Sequence, residues 1–383
     1  MTNSAATPAA SVPVASVPVA SGRGTLRQVS GERRETFLPS LSVSTHASFL
    51  LRLANGDLGC VWFGGSQEGK PDVSIYFSRL PRGSATWEPE QKVSDDPSRS
   101  EQNPVLFETP KGDLWLLYTA QIFGDQDTSI VRRRISRDGG RTWSPIETFI
   151  DVPGTFIRNP IIIAANGDWL LPIFRCRKVA GAKWNGSDDF SAVRVSSDEG
   201  LTWTELEVPE SVGAVHMNIV RLDDKLVAFY RNRRAGFVLR SVSTDNGRTW
   251  SAPAPTEVPN NNASIQARRL MDGRIVLICN PINARMAGES NMPDLLERIG
   301  GKVVWGTPRA PVSLFFSSDG GESFTGRIDI ETGPGWCHAD LPTLPQQGNS
   351  ELSYPSVEEK ADGTLAMSFT FHREAIKYVE LAP

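Results

Sequence analysis

Cysteine is scarce in this chain: four in 383 residues, none in the close pairs that make a zinc site or a redox motif. Cys60, Cys176 and Cys279 fall in apolar stretches that read as buried strands, so they are expected as reduced core thiols. An excess of one charge is missing too. Forty basic side chains against 44 acidic ones leave a net charge of −4, which supplies no field for nucleic acid or an anionic membrane. No apolar run is long enough to span a bilayer. Residues 1–24 are mostly Ala, Ser, Pro and Val with an immediate five-residue duplication, a composition expected to be disordered. They lack a basic start and an unbroken apolar stretch and so fit a signal peptide poorly; a soluble, cytoplasmic protein is the expectation. No ligand cluster calls for a metal, and no cofactor is expected.

What the chain does contain is turn chemistry: 33 glycines and 27 prolines, with 10 tryptophans to pack against. One repeat is Ser-x-Asp-x-Gly-x-Thr/Ser-aromatic, found at Ser136–Trp143, Ser196–Trp203, Ser243–Trp250 and Ser317–Phe324. Asp138, Asp198, Asp245 and Asp319 can fold back onto turn amides, and Gly140, Gly200, Gly247 and Gly321 accept positive φ, so each copy is expected at a hairpin tip. No glutamate follows where a calcium loop would need one. A degenerate fifth copy is read between Ser78 and Trp87.

A second repeat covers more of the chain: apolar strand, tight turn, apolar strand. Its turns fall at Asn55–Asp57, Lys111–Asp113, Asn166–Asp168, Asp223–Lys225, Asp272–Gly273 and Asp362–Gly363. The near-continuous apolar runs beside them suit strands buried on both faces. Steps of about 50 to 57 residues, with one longer last step, predict an all-β, six-bladed propeller over residues 25–383. Its last blade lacks an outer strand, which residues near 26–37 should supply, closing the ring. An insertion at 283–305 interrupts blade five, and 293–298 reads as a short helix on a lid or on the rim.

The two repeats put their turns on one rim. The opposite rim collects the starts of the innermost strands: His46, Asn103, Arg158, Asn159, His216, Gln266 and Tyr354. Second-strand ends add Arg231, Arg233, His372 and Arg373, and the loop from Gly64 to Asp72 adds Glu68 and Asp72. Arginines with amides and a few carboxylates beside an axial cavity suit an acidic, hydroxyl-rich ligand. Each residue also has a structural alternative. His46 can be a satisfied core histidine, Asn103 and Asn159 turn formers before proline, Asp72 a tie for its own loop, Tyr354 a core aromatic, and Arg233 solvated surface.

With these residues in place, the chain resembles the sialidase superfamily, and within it the BNR-repeat predicted-neuraminidase family, from about residue 40 to the end. The stretches that carry the likeness are the Asp-box repeats, His46–Ser48, Trp62–Val73, Asn103–Phe107, Pro259–Asn262, Ser353–Val357 and Phe369–Arg373. The resemblance implies an arginine triad for a substrate carboxylate, an acid/base carboxylate in a first-blade loop and a tyrosine nucleophile. By position these become Arg231, Arg309 and Arg373, then Glu68 or Asp72, then Tyr354; His46 is the other candidate for the second catalytic group. The Arg-Ile-Pro motif of the first strand is absent and His46 stands there; His216 and Asn218 stand where a glutamate would assist the tyrosine. The expected activity is a sialidase-like glycoside hydrolase for a carboxylate-bearing sugar or oligosaccharide other than a standard sialoside. A lyase on the same scaffold and a non-catalytic carbohydrate-binding propeller are the alternatives.

Overall fold

The computed structural model describes residues 23–178, 181–337 and 348–382. All but the last two residues of the expected low-complexity segment 1–24 lie outside that range. Six antiparallel sheets succeed one another along the chain. Their innermost strands begin at Ser44, Ser100, Thr155, Ala214, Gln266 and Leu352. The second strands are deeply buried: every residue of Leu226–Asn232 is buried, as a strand covered on both faces requires. Apolar side chains from adjacent sheets fill the wedge between them; Phe49 and Val61 of blade one meet Val105 and Leu117 of blade two in one cluster.

The termini close the ring. Arg33–Phe37 pairs antiparallel with Ala375–Leu381, placing Arg33 opposite Leu381 and Phe37 opposite Lys377. Arg27–Ser30 then adds a fifth strand outside it.

In the Asp boxes, Asp138 accepts from the amides of Arg141 and Thr142 at 3.0 and 2.9 Å and from the Thr142 hydroxyl at 2.6 Å. Asp198, Asp245 and Asp319 repeat the pattern with Thr202, Thr249 and Ser323. The box glycine has a second reason to be glycine. Gly140 sits at φ +89°, and a Cβ there would lie 2.5 Å from Phe77 of the preceding blade. The degenerate copy is a hairpin tip without this clasp; there Asp57, from the neighbouring turn, caps the amide of Arg82 at 2.7 Å.

The opposite rim is shaped by bulges. The innermost strands of blades one, two, four and six each lose register near their start, between His46 and Phe49, Gln102 and Val105, Val215 and Asn218, and Ser353 and Ser356. Inside these bulges Ala47, Asn103, His216 and Tyr354 adopt φ of 49–56°. A left-handed residue other than glycine costs about 1–3 kcal/mol, and such strain tends to gather at ligand sites.

The insertion holds more than the single helix expected. An α-helix at Ala284–Ser290, capped by Asn283, precedes a 3-10 helix at Pro293–Arg298. The amides of Ala284 and Val304 donate to the carbonyls of Ala235 and Arg233, so both ends are pinned to blade four.

Candidate functional site

A cavity of about 690 Å³ opens on the bulged rim. Of the residues singled out in the sequence, Glu68, Asn103, His216, Arg231, Arg233, Arg309, Tyr354 and Arg373 line it. Arg231 comes from the end of a blade-four strand. Arg309 follows the insertion in blade five, and Arg373 sits in the turn after Leu365–Phe371 of blade six.

Two of these arginines are held by Glu351, which the sequence reading passed over. Its fully buried carboxylate takes Arg309 Nη1 at 3.1 Å on one oxygen and Arg373 Nε on the other. Burial raises the Glu351 carboxyl, but Arg373 and Arg309 outweigh that and hold its pKa below the usual carboxylate range. Burial works against the charge on Arg373, and Glu351 with Glu68 more than offsets it, raising the guanidinium pKa further. Glu68 reaches Arg373 Nη1 from the adjoining blade one and remains one-third exposed.

Tyr354 lies at the centre of the cluster. Its hydroxyl oxygen accepts from Arg231 Nη1 at 2.6 Å, and Arg231 Nε donates to Asn262 Oδ1 at 2.8 Å. Asn262 Nδ2 donates in turn to the carbonyl of Val304, tying that arginine to the insertion. Two histidines pack on the tyrosine ring, His46 at 4.2 Å and His216 at 5.8 Å between ring centres. Burial first, and then the surrounding arginines, push both imidazoles well below their ordinary pKa, so both are neutral at pH 7. His46 Nδ1 is 2.8 Å from the Thr370 hydroxyl, while His46 Nε2 and His216 Nδ1 have no hydrogen-bond partner among the described residues.

Six of the sequence candidates do not line the cavity. His46 is buried behind Tyr354. Asp72 takes the amide and hydroxyl of Ser66, both at 2.9 Å, and so ties its own loop. Gln266 Oε1 accepts from the Ser356 hydroxyl and the Val357 amide, joining blade five to blade six. Asn159 donates to the carbonyls of His216 and Met217 and fixes that bulge. His372 stacks on Phe371 with ring centres 4.0 Å apart. Arg158 is an axial strut beneath the cavity. It reaches from blade three to Ser264 Oγ, to the carbonyls of Ala47 and Ser48, and to the Tyr354 carbonyl. Burial lowers its pKa to about 10, which leaves it charged.

Arg233, read as solvated surface, is buried instead. It pairs with Asp189 at 2.7 Å, and its guanidinium lies 5.6 Å from the Trp184 ring and 5.0 Å from that of Trp305. Glu351, Trp184 and Trp305 had only weak signals in the sequence: a carboxylate three residues before Tyr354, and a tryptophan in each of two loops. Among the described residues, no group of three histidine, cysteine, aspartate or glutamate side chains can hold a metal ion.

A family profile described as "BNR repeat-like domain" matches residues 56–367. A comparison with curated protein sequences gives no match. Solved structures share the fold at low identity. The Hadza microbial sialidase Hz136 is 15% identical with a TM-score of 0.67, over 89% of this chain and 66% of its own. A Dyadobacter fermentans protein of unknown function is 14% identical with a TM-score of 0.67, over 92% of this chain and 99% of its own. The intramolecular trans-sialidase from Ruminococcus gnavus, solved with oseltamivir carboxylate, is 14% identical with a TM-score of 0.65, over 89% and 95%.

Proposed function

This chain belongs to the BNR repeat-like domain family, and from that premise we propose that it is a sialidase-like glycoside hydrolase acting on a sugar that carries a carboxylate. The observation that carries this reading is the convergence of Arg231, Arg309 and Arg373 on one cavity that also holds Tyr354 and Glu68. Charge supports it. Among the described residues at this site, five guanidiniums (Arg158, Arg231, Arg233, Arg309 and Arg373) face three carboxylates (Glu68, Glu351 and Asp189), and the two histidines are neutral. An anion entering such a site gains more than a neutral ligand.

In this reading the substrate carboxylate lies against Arg231, Arg309 and Arg373, displacing Glu68 from Arg373. Freed from Arg373, Glu68 takes up a proton from solvent and delivers it to the departing glycosidic oxygen as the anomeric C–O bond breaks. Tyr354 Oη attacks the same carbon, its phenolic proton leaving to a water molecule while Arg231 Nη1, 2.6 Å away, stabilises the developing phenolate. Water, deprotonated by Glu68, releases the sugar from the tyrosine in the second step. The retained anomeric configuration is read by NMR of the first product formed from a panel of acidic glycosides. Glu68→Gln is expected to abolish turnover while the ligand still binds; undiminished turnover would sink the assignment.

The neutral imidazoles favour one second reading. A base beside Tyr354, with arginines neutralising the acid, also suits removal of the proton next to the carboxylate and elimination of the leaving group. The same panel separates the two, because elimination leaves a conjugated enoate that absorbs in the ultraviolet and hydrolysis does not.

A further inference from the structure

Of the five box hairpins read in the sequence, four carry an aspartate and one is basic. The degenerate copy between Ser78 and Trp87 holds no carboxylate and has Arg82 in its turn. Beside that turn, at the seam where the chain termini close the ring, lies a second cavity of about 570 Å³. It is on the rim opposite the cavity described above. Four cations from four segments line it: Arg34 from the closing strand, Arg52 from the end of the innermost blade-one strand, Arg82, and Lys360 from the blade-six turn. Leu58 and Leu80, a buried cross-strand pair, and Pro81 supply an apolar part of the wall. Recesses of this size and mixed lining suit small molecules.

The charges at this seam do not cancel. Glu380, 1% exposed, takes Arg34 on one carboxylate oxygen and Lys360 Nζ at 3.0 Å on the other, where the Tyr378 hydroxyl also donates at 2.8 Å. One buried carboxylate thus orients two cations at the wall and neutralises only one of them. Arg52 and Arg82 are exposed, and among the described residues neither guanidinium makes a hydrogen bond or an ion pair. The carboxylates nearest to them are committed elsewhere, Asp57 to Arg79 at 3.4 Å and to the Arg82 amide, and Glu358 to Arg268. Asp362 is the one acid among the described lining residues. Four lining cations against Asp362 and Glu380 leave a surplus of two positive charges. Like charges held around one recess repel, and a dianion removes that cost. A carboxylate brings one negative charge, whereas a phosphate monoester brings about 1.5 to 2 at pH 7, with three oxygens that guanidinium forks grip in pairs.

We propose that the seam cavity binds a small organic phosphate monoester, its phosphoryl group held by Arg52 and Arg82 with Arg34 and Lys360 beside them, and its organic part against Leu58, Leu80 and Pro81. The ligand would bridge the closing strand, blade one and blade six, so its binding should also stabilise the closed ring. This site is independent of the glycoside reading. In the test, the full chain is titrated by calorimetry at constant ionic strength with phenyl phosphate, inorganic phosphate and benzoate. Phenyl phosphate should bind one to one and raise the thermal midpoint. It should bind more tightly than benzoate, which has the ring and a single charge, and more tightly than inorganic phosphate, which has the charge and no ring. Arg52→Gln and Arg82→Gln change exposed side chains without native partners; each should weaken binding about tenfold, and the double variant should abolish it. Arg373→Lys, on the other rim, should leave it unchanged. The site is overturned if phenyl phosphate does not bind, or if benzoate or inorganic phosphate binds as well as it does. Binding that survives the double substitution and is lost in Arg373→Lys would belong to the arginines of the other rim and overturn it too. So would co-sedimentation with mixed phosphatidylcholine–phosphatidic acid vesicles in the absence of phenyl phosphate binding, which would place the phosphate on a membrane.

Discussion

In the Asp boxes each box aspartate is satisfied within its own turn, Asp138 by residues three and four positions on. On the cavity rim Glu351 holds Arg309 and Arg373 from 42 and 22 residues away, and Glu68 meets Arg373 across 305. Left-handed backbone occurs on both rims. In the Asp boxes it falls on glycine and, in two copies, also on Glu199 and Asn246 just before it; in the bulges of the cavity rim it falls on Ala47, Asn103, His216 and Tyr354. A turn that is complete in itself can recur four times and do only structural work. A network assembled from several blades has partners only once the ring has closed, and there strain and unpaired groups persist.

Glu351→Gln is the sharpest way to break the distant network, since it removes the buried negative charge that two guanidiniums share. We expect a loss of about 3–5 kcal/mol in denaturant unfolding, together with loss of acidic-ligand binding; a change below 1 kcal/mol would mean that the two arginines do not depend on it. On the other rim, Gly140→Ala forces a Cβ against Phe77 and a left-handed alanine at once. The expected cost is about 2–3 kcal/mol, with no change in ligand affinity.

Acidification tests the histidines of the cavity rim. His46 and His216 have folded pKa values well below that of the unfolded chain, so below about pH 6.5 the unfolded chain binds protons that the folded one refuses. Their contribution is complete above that pH and fades as pH falls, by up to about 1.4 kcal/mol per pH unit for each. Thermal midpoints should therefore drop from pH 6.5 towards 5, less steeply in His216→Asn, whose asparagine tolerates the left-handed φ. A flat profile would contradict the burial of these rings. Asp138→Ala should cost least, about 1 kcal/mol. The hydrogen bonds to Thr142 and Ser136 outweigh the small burial penalty and lower the Asp138 pKa to about 2, so its clasp should also persist in mild acid and loosen only between about pH 4 and 2.

The readings that held were those whose causes lie close together in the chain. The Asp boxes, the inner hairpins and the need for residues near 26–37 to complete the last blade all follow from turn chemistry and strand period. The cavity rim was legible by position and not by partner. Glu68, Arg231 and Tyr354 do line the cavity, whereas Gln266 and Asn159, equally polar and equally placed at strand starts, are spent on neighbouring blades. Asp72 and Glu68 share one loop, yet only Glu68 extends across to another blade. Glu351 has only a weak local mark, its place three residues before Tyr354; its role comes from two arginines that the fold delivers.

The sequence by itself determined that this chain is a ring of six blades with its turns on one face, because hairpins and Asp boxes are stabilised by residues within a few positions of one another. Tertiary structure decided which polar side chains face the cavity, which brace the axis, and that an insertion in blade five and a loop in blade three share one aromatic wall. Those outcomes depend on register breaks and inter-blade contacts, and such contacts bring together residues that no short stretch of sequence contains.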